Sequence, residues 1–253
     1  MSNTDTAWEQ WGAADPYFGV LASPQFRRTE LSDHLAEFFL SGEEYVTERL
    51  AKAERLYGFR GRRAAFDFGS GVGRLLIPLA RQFETATGVD VSESMIRECQ
   101  TNLARNNLEN VTVAKSDDRL SAVNGPFDFV MSYIVLQHIQ ARRGETLINR
   151  LLELTAPGGV VSLQIAVDRG DTALQAAVYW ARRRIPVLHG VANKLRGQPF
   201  SDPLMEMNEY RLTRVLRLFK DHGFGEVSVD LEHHGRVLCA SLMAQKSRWL
   251  LPS

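Results

Sequence analysis

The sequence predicts an α/β fold: a mostly parallel sheet with helices on both faces, an antiparallel C-terminal strand and a helical N-terminal extension. Three observations carry that prediction. From Arg62 onward, short apolar runs alternate with amphipathic stretches, the pattern of buried parallel strands joined by crossover helices. The first run, AAFDFG, enters a turn with glycine at 69, 71 and 73 before the chain reads as helix. The last stretch, EVSVDLEHHGRVLCASLMAQK, alternates apolar and polar residues on either side of His234-Gly235, which marks a hairpin.

The elements follow in order. TAWEQWGAADPYFGVLASPQFR is aromatic-rich and interrupted by Pro16 and Pro24, so it is expected to be an ordered but irregular arm. LSDHLAEFF and EEYVTERLAKAERLYGF space apolar residues as two helices. Residues 1–60 therefore form an arm with helices, a lid or substrate cap, and residues 61–253 the core. In the core, AAFDFG is a strand and GRLLIPLARQF a helix strained by Pro78, which should kink it or remove a hydrogen bond. TATGVDV is a strand, followed by a helix capped by Ser92. VTVAK, FDFVMSYIV and GVVSLQIAV are three further strands, the last preceded by the helix TLINRLLEL. Residues 168–207 break the alternation and read as an insertion. NEYRLTRVLRLFKDHGF then gives an Asn-capped helix closed by Gly223.

Composition bounds the function. In 253 residues, 30 Lys+Arg balance 30 Asp+Glu, so no global field favours nucleic acid or an acidic membrane surface. Two cysteines, Cys99 and Cys239, provide neither a disulfide framework nor a cysteine-rich metal site, and no His/Asp/Glu spacing suggests a metal. The polar N-terminus lacks a signal-peptide pattern, and no apolar run reaches the roughly 20 residues of a membrane span. The expectation is a cytoplasmic protein, monomer or homodimer, acting on a small molecule.

The glycine spacing is Gly-x-Gly-x-Gly, and Asp67 stands two residues before it. A carboxylate there is poorly placed beside a pyrophosphate and suits a ligand with an ammonium group. Asp90, at the end of the second strand, is placed to accept from ribose hydroxyls. Asp117 or Asp118, after the third strand, can accept from an exocyclic amine such as that of adenine, with Asp117 favoured. Three acidic stations after three strands describe a ligand with an amino acid end, a ribose and an adenine.

FDFGSGVGR, GVDVSESM, the SDD segment, FDFVMSYIVLQHI and LTAPGG, in that order, resemble successive motifs of the class I (Rossmann-like) S-adenosylmethionine-dependent methyltransferases. The resemblance covers roughly residues 60–167 and extends to the C-terminal hairpin. It implies S-adenosyl-L-methionine as methyl donor and S-adenosyl-L-homocysteine as product. It places Asp67, Gly69, Ser70, Gly71 and Gly73 at the methionine end. Asp90, Val91, Ser92 and Met95 fall around the ribose and adenine, Ser116, Asp117 and Asp118 at the adenine, and Tyr133 beside the methyl donor. His138, after the fourth strand, reads as a general base or orienting group for a substrate hydroxyl. In such enzymes N-terminal extensions and insertions after the fifth strand build the acceptor pocket, which points to Trp8, Trp11, Tyr17 and Phe18 as a lid, with a strap packed on the core as the alternative, and to Trp11, Tyr17, Phe18 and Tyr179 beside His138 in the pocket. An Asn/Asp-Pro-Pro-aromatic run after strand four, the mark of nucleic-acid amino-methylation, is absent. The expected activity is O-methylation of a specialised-metabolite or sugar hydroxyl. N-methylation of a small amine and a non-catalytic regulatory subunit are the alternatives. Arg182–Arg184, Lys194 and Arg196 form a local basic stretch, either a solvated face or a contact to an anionic substrate or carrier.

Overall fold

The computed structural model describes residues 4–248. Strands β1 (Ala64–Phe68), β2 (Thr85–Asp90), β3 (Val111–Lys115), β4 (Phe127–Ser132), β5 (Thr155–Asp168), β6 (Phe224–His234) and β7 (Val237–Lys246) form one sheet among the described residues, in the order β3-β2-β1-β4-β5-β7-β6. β7 runs antiparallel to both neighbours and is inserted between β5 and the edge strand β6. The order reverses between β1 and β4, and in such sheets the crevice beyond the strand ends at that point is the binding edge.

Side chains alternate across the sheet as the two-residue period requires. On one face, Phe66, Val130, Val161 and Leu242 pack with Ile148 and Leu151 of α6 (Ala141–Leu154) and Phe219 of α9 (Leu212–Asp221). On the other, Ala65, Phe129, Met131 and Met243 meet α3 (Leu31–Tyr57), α4 (Leu76–Gln82) and α5 (Glu93–Arg105). Full burial of each such aromatic or aliphatic side chain is worth about 1.5–3 kcal/mol.

The N-terminal segment is helical where an irregular arm was expected. α1 (Thr4–Ala14) and α2 (Pro16–Val20) are followed by a 3₁₀ turn (Pro24–Phe26). Pro16 and Pro24 stand at the first positions of their helical turns, where the missing N–H has no partner to lose, so they start helices and break none. The two helices expected after them are one, the 27-residue α3. Ser41 and Gly42 read as an interruption. Instead Ser41 donates to the Phe38 carbonyl inside the helix, at 2.7 Å. Gly42 provides a close approach: a Cβ there would lie 2.2 Å from the Arg74 carbonyl oxygen.

That carbonyl also resolves the expected strain at Pro78. α4 begins only at Leu76, so Pro78 lies in its first turn, where helix N–H groups lack intrahelical partners anyway. The Arg74 carbonyl it leaves without a helical donor is the one that Gly42 packs against. The Asn cap expected before α9 is likewise not formed. α9 starts at Leu212, and Asn208 donates its backbone N–H to the Gln137 carbonyl at 2.7 Å. Residues 168–207 contain α7 (Ala173–Arg184) and α8 (Pro186–Leu195). No helix of the described residues is long and apolar enough to cross a membrane.

Candidate active site

The C-terminal ends of β1, β2 and β4 meet at a cavity of about 90 Å³. Its floor is backbone. Gly69, Gly71 and Gly73 adopt φ of +79°, +52° and +92°, values that disfavour any side chain. Space excludes one too: a Cβ on Gly69 would meet Val135 at 2.4 Å, and one on Gly71 would meet Val20 at 2.7 Å. Gly69 and Ser70 both donate N–H to the Val89 carbonyl at 2.9 Å, which ties the turn to β2.

Asp90 closes the same unit. Its carboxylate accepts from the N–H of Gly71 and of Ser92, each at 2.9 Å. Removal from bulk water pushes its pKa up to about 6, against the pull of those amides. Asp67 lies behind the turn, 1% exposed, and its Oδ2 has no hydrogen-bond partner. Burial pushes it up to about 7; Arg74 opposes the rise and Asp90 adds to it. The hydroxyl of Ser70 is also buried without a partner. An orphaned carboxylate oxygen and an orphaned hydroxyl beside an open glycine turn fit the amino acid end of a zwitterionic ligand, because each lacks the donor or acceptor that burial demands.

Gly69, Gly71, Asp90, Val91, Met95, Ser116, Asp117, Tyr133 and His138 line the cavity. Asp67, Ser70 and Gly73 support it from behind. Asp117 turns one oxygen onto its own loop, accepting from Arg119 N and Ser121 N at 2.9 and 3.0 Å, and those bonds hold its pKa down. Asp118 faces away and pairs with Arg143 at 2.6 Å.

On the β4 side, Ile134 has φ of +59°, an outlier for a β-branched residue, and its N–H reaches Gln164 Oε1 at 3.2 Å. Such strain concentrates at functional loops. Tyr133 stacks on Tyr45 at 3.8 Å, with the Arg74 guanidinium 5.7 Å from its ring. His138 is fixed by a 3₁₀ turn (Leu136–His138) that Tyr210 pins by donating toward the Leu136 and Ile139 carbonyls, at 2.8 and 2.9 Å. The imidazole Nδ1 lies 2.7 Å from the Glu206 carbonyl. A carbonyl only accepts, so Nδ1 bears the proton and Nε2 keeps a lone pair. Burial lowers the His138 pKa to about 4, so the ring is neutral at physiological pH.

The roof is α1. Trp8 sets its edge against His138 with ring centroids 4.9 Å apart, and Asp5 pairs with Arg143 at 2.6 Å. Glu9 caps α5: its carboxylate accepts from the hydroxyls of Ser92 and Ser94 at 2.8 and 2.6 Å and from the Ser94 N–H at 3.2 Å. Trp11, Tyr17 and Phe18, expected in the acceptor pocket, line no part of the cavity. They are buried with Phe26, Phe38 and Met95 in an apolar cluster that meets the cavity through Met95, Trp8 and Val20. Tyr17 is anchored there by donating to Glu98 Oε1 at 2.8 Å and accepting from Asn102 Nδ2 at 2.9 Å. Tyr179 is also elsewhere, bonded to the backbone of Met207. Trp8, expected with Trp11, Tyr17 and Phe18 in the lid, does line the cavity, and so do Asp5, Val20 and Arg143, which the sequence did not single out. Their signal is nonlocal, since each reaches the cavity through a contact across the chain. His234 is paired in β6 and joins Gln164 and Glu232 in a polar cluster near Tyr133, so it is no mere turn residue.

The opposite face of α1 borders a second cleft of about 1450 Å³. Thr6, Ala7 and Gln10 form one side, and Trp180, Arg182–Arg184 and Phe200 the other. The insertion faces this cleft and not the small cavity.

The family model described as "Methyltransferase domain" matches residues 65–159, the stretch that holds the glycine turn, Asp90, Asp117 and His138. The match covers the core of the sheet, and the fold is that of the class I S-adenosylmethionine-dependent methyltransferases. The ubiquinone biosynthesis O-methyltransferase of Caulobacter sp. (strain K31) is 38% identical to this chain over 104 residues, 41% of its length. The chain spans about two fifths of that relative's length, 40%. An uncharacterized methyltransferase of Mycobacterium bovis is 30% identical over 139 residues, covering 54% of this chain and 66% of its own. Among solved structures, the magnesium protoporphyrin IX methyltransferase of Synechocystis PCC 6803 with bound S-adenosylmethionine has a TM-score of 0.62 at 17% identity. The likeness covers 98% of this chain and 99% of that one, a likeness of fold.

Proposed function

We propose that this methyltransferase transfers a methyl group from S-adenosylmethionine to a hydroxyl of a small molecule, a specialised metabolite or sugar. The observation that carries the reading is His138: a buried, neutral imidazole at the cavity wall whose Nδ1 is committed to the Glu206 carbonyl, leaving Nε2 as an acceptor. The bound donor supplies an electrophilic methyl on a sulfonium. The rest of the chemistry is positioning and exclusion of water, with a partner for the hydroxyl proton. In this reading Asp67 and Ser70 hold the amino acid end, Asp90 the ribose and the Ser116–Asp117 segment the adenine. His138 Nε2 accepts the proton of the hydroxyl, and the edge of Trp8 keeps water from the ring. The relative named as an O-methyltransferase supports oxygen as acceptor.

A cavity of about 90 Å³ is smaller than the roughly 300–1,000 Å³ of ligand clefts, so α1 acts as a lid that lifts to load the site. Turnover with a panel of small hydroxyl and amine acceptors, followed as homocysteine release, tests the assignment. His138→Ala is expected to lower kcat about a hundredfold for a hydroxyl acceptor while S-adenosylhomocysteine affinity stays within about twofold. His138→Gln, which retains an acceptor atom, recovers part of the loss. An unchanged kcat in His138→Ala removes the proton-accepting role. Turnover confined to amines replaces O- with N-methylation.

A further inference from the structure

The insertion has a surface that the methyl-transfer site does not use. α7 has no buried residue. Leu174, Val178 and Ile185 recur along and just beyond it at intervals of four and seven; Leu188, Val191 and Leu195 recur on α8 at three and four. Those are the spacings of one helical face. Leu174 is 75% exposed and Leu195 84%, and the other four are between 44% and 47%. None of the six lines either the cavity or the cleft beside α1. Of thirteen exposed large apolar side chains among the described residues, nine fall in residues 174–200. Elsewhere exposed apolar residues are scattered; here they are concentrated.

Charge separates the same segment from the rest of the chain. Residues 172–201 contain three arginines at 182–184, Lys194 and Arg196, and no Asp or Glu, whereas the whole chain has net charge +0. Lys194 and Arg196 are exposed beside the α8 stripe. Arg184 is exposed with its guanidinium 4.9 Å from the ring of Trp180, itself 57% exposed. Trp180 and Arg184 border the cleft beside α1, while the apolar stripes with Lys194 and Arg196 beside them carry the chemistry of a helix that lies in the interface of an anionic bilayer. A second copy docked through the same face would set cations against cations, which disfavours a symmetric dimer there.

We infer that the α7–α8 hairpin docks this methyltransferase on anionic phospholipid surfaces, with the leucine and valine stripes entering the headgroup region and Arg184, Lys194 and Arg196 meeting lipid phosphates. The association is peripheral and independent of the acceptor assigned above.

Flotation of the full-length protein with vesicles of phosphatidylglycerol and phosphatidylcholine, against vesicles of phosphatidylcholine alone, tests it. The protein is expected to float with the anionic vesicles at least tenfold more than with the neutral ones. Neutralising three exposed cations (Arg184→Gln, Lys194→Gln, Arg196→Gln) is expected to lower the partition coefficient about a hundredfold. Leu174→Ser with Leu195→Ser, both at exposed positions, is expected to lower it about tenfold at an unchanged melting temperature. Equal partition onto neutral vesicles, or full retention by both variants, overturns the inference. So does a dimer in light scattering that the Leu174→Ser, Leu195→Ser variant dissolves, because the face then belongs to a second copy.

Discussion

The floor and the roof of the small cavity are held by different kinds of bond. The floor is main chain: three glycines with positive φ, amides turned onto Asp90, and N–H groups tied to the Val89 carbonyl. The roof is a helix suspended from side chains, by Glu9 on Ser92 and Ser94, Asp5 on Arg143, and Trp8 on His138. A surface made of backbone is indifferent to most substitutions and intolerant of a few. One hung from side chains yields by small steps at many positions.

The sharpest break belongs to the floor. Gly69→Val adds a branched side chain at φ +79°, where even a Cβ would meet Val135 at 2.4 Å. We expect S-adenosylhomocysteine affinity to fall at least about a hundredfold in calorimetric titration, roughly 2.7 kcal/mol. Affinity within a few-fold of the parent would mean that the turn does not shape the site.

Asp67 sharpens the comparison through pH. Its pKa is raised to about 7 against an ordinary value of 3.8, so the folded protein without ligand holds a proton that the unfolded chain has released. Raised acids cost stability once ionised: the cost is absent below about pH 4, grows through the interval up to about 7 and persists above it. Asp67→Asn is therefore expected to raise the melting temperature at pH 8, on the order of 5 °C, and to leave it unchanged near pH 4. Ligand binding runs the other way. An ammonium group needs the ionised carboxylate, so S-adenosylhomocysteine affinity should rise about tenfold from pH 5 to pH 8 and lose much of that slope in Asp67→Asn. A flat pH profile in the parent protein would separate Asp67 from the ligand.

The smallest effect is expected in the roof. Glu9→Gln weakens the cap on α5 without touching the floor. The dissociation rate of S-adenosylhomocysteine, followed by stopped flow, should rise about two- to fivefold with the melting temperature unchanged. An unchanged rate would show that α1 does not limit escape.

The same contrast explains what the sequence discloses. The succession of strands and helices, the glycine turn and the carboxylates at Asp67, Asp90 and Asp117 are legible because each is set by a short run: apolar strand, tight turn, helix cap. The roof is not. Trp8 and Trp11 are three residues apart on one helix and both pack against the apolar cluster, yet of the two Trp8 alone lines the cavity, set against His138, a partner more than a hundred residues away. Gly42 reads as a break until Arg74 arrives against it, and Pro78 as a fault until the start of α4 is known. The polar cluster of Gln164, Glu232 and His234 forms only when the hairpin brings the C-terminal end of β6 near that of β5.

α1 has a chamber on either side, with Asp5 and Trp8 toward one and Thr6, Ala7 and Gln10 toward the other. A partition common to two rooms cannot swing outward from the first without crowding the second. Opening of the smaller room would therefore draw on the space of the larger one, through a single eleven-residue helix.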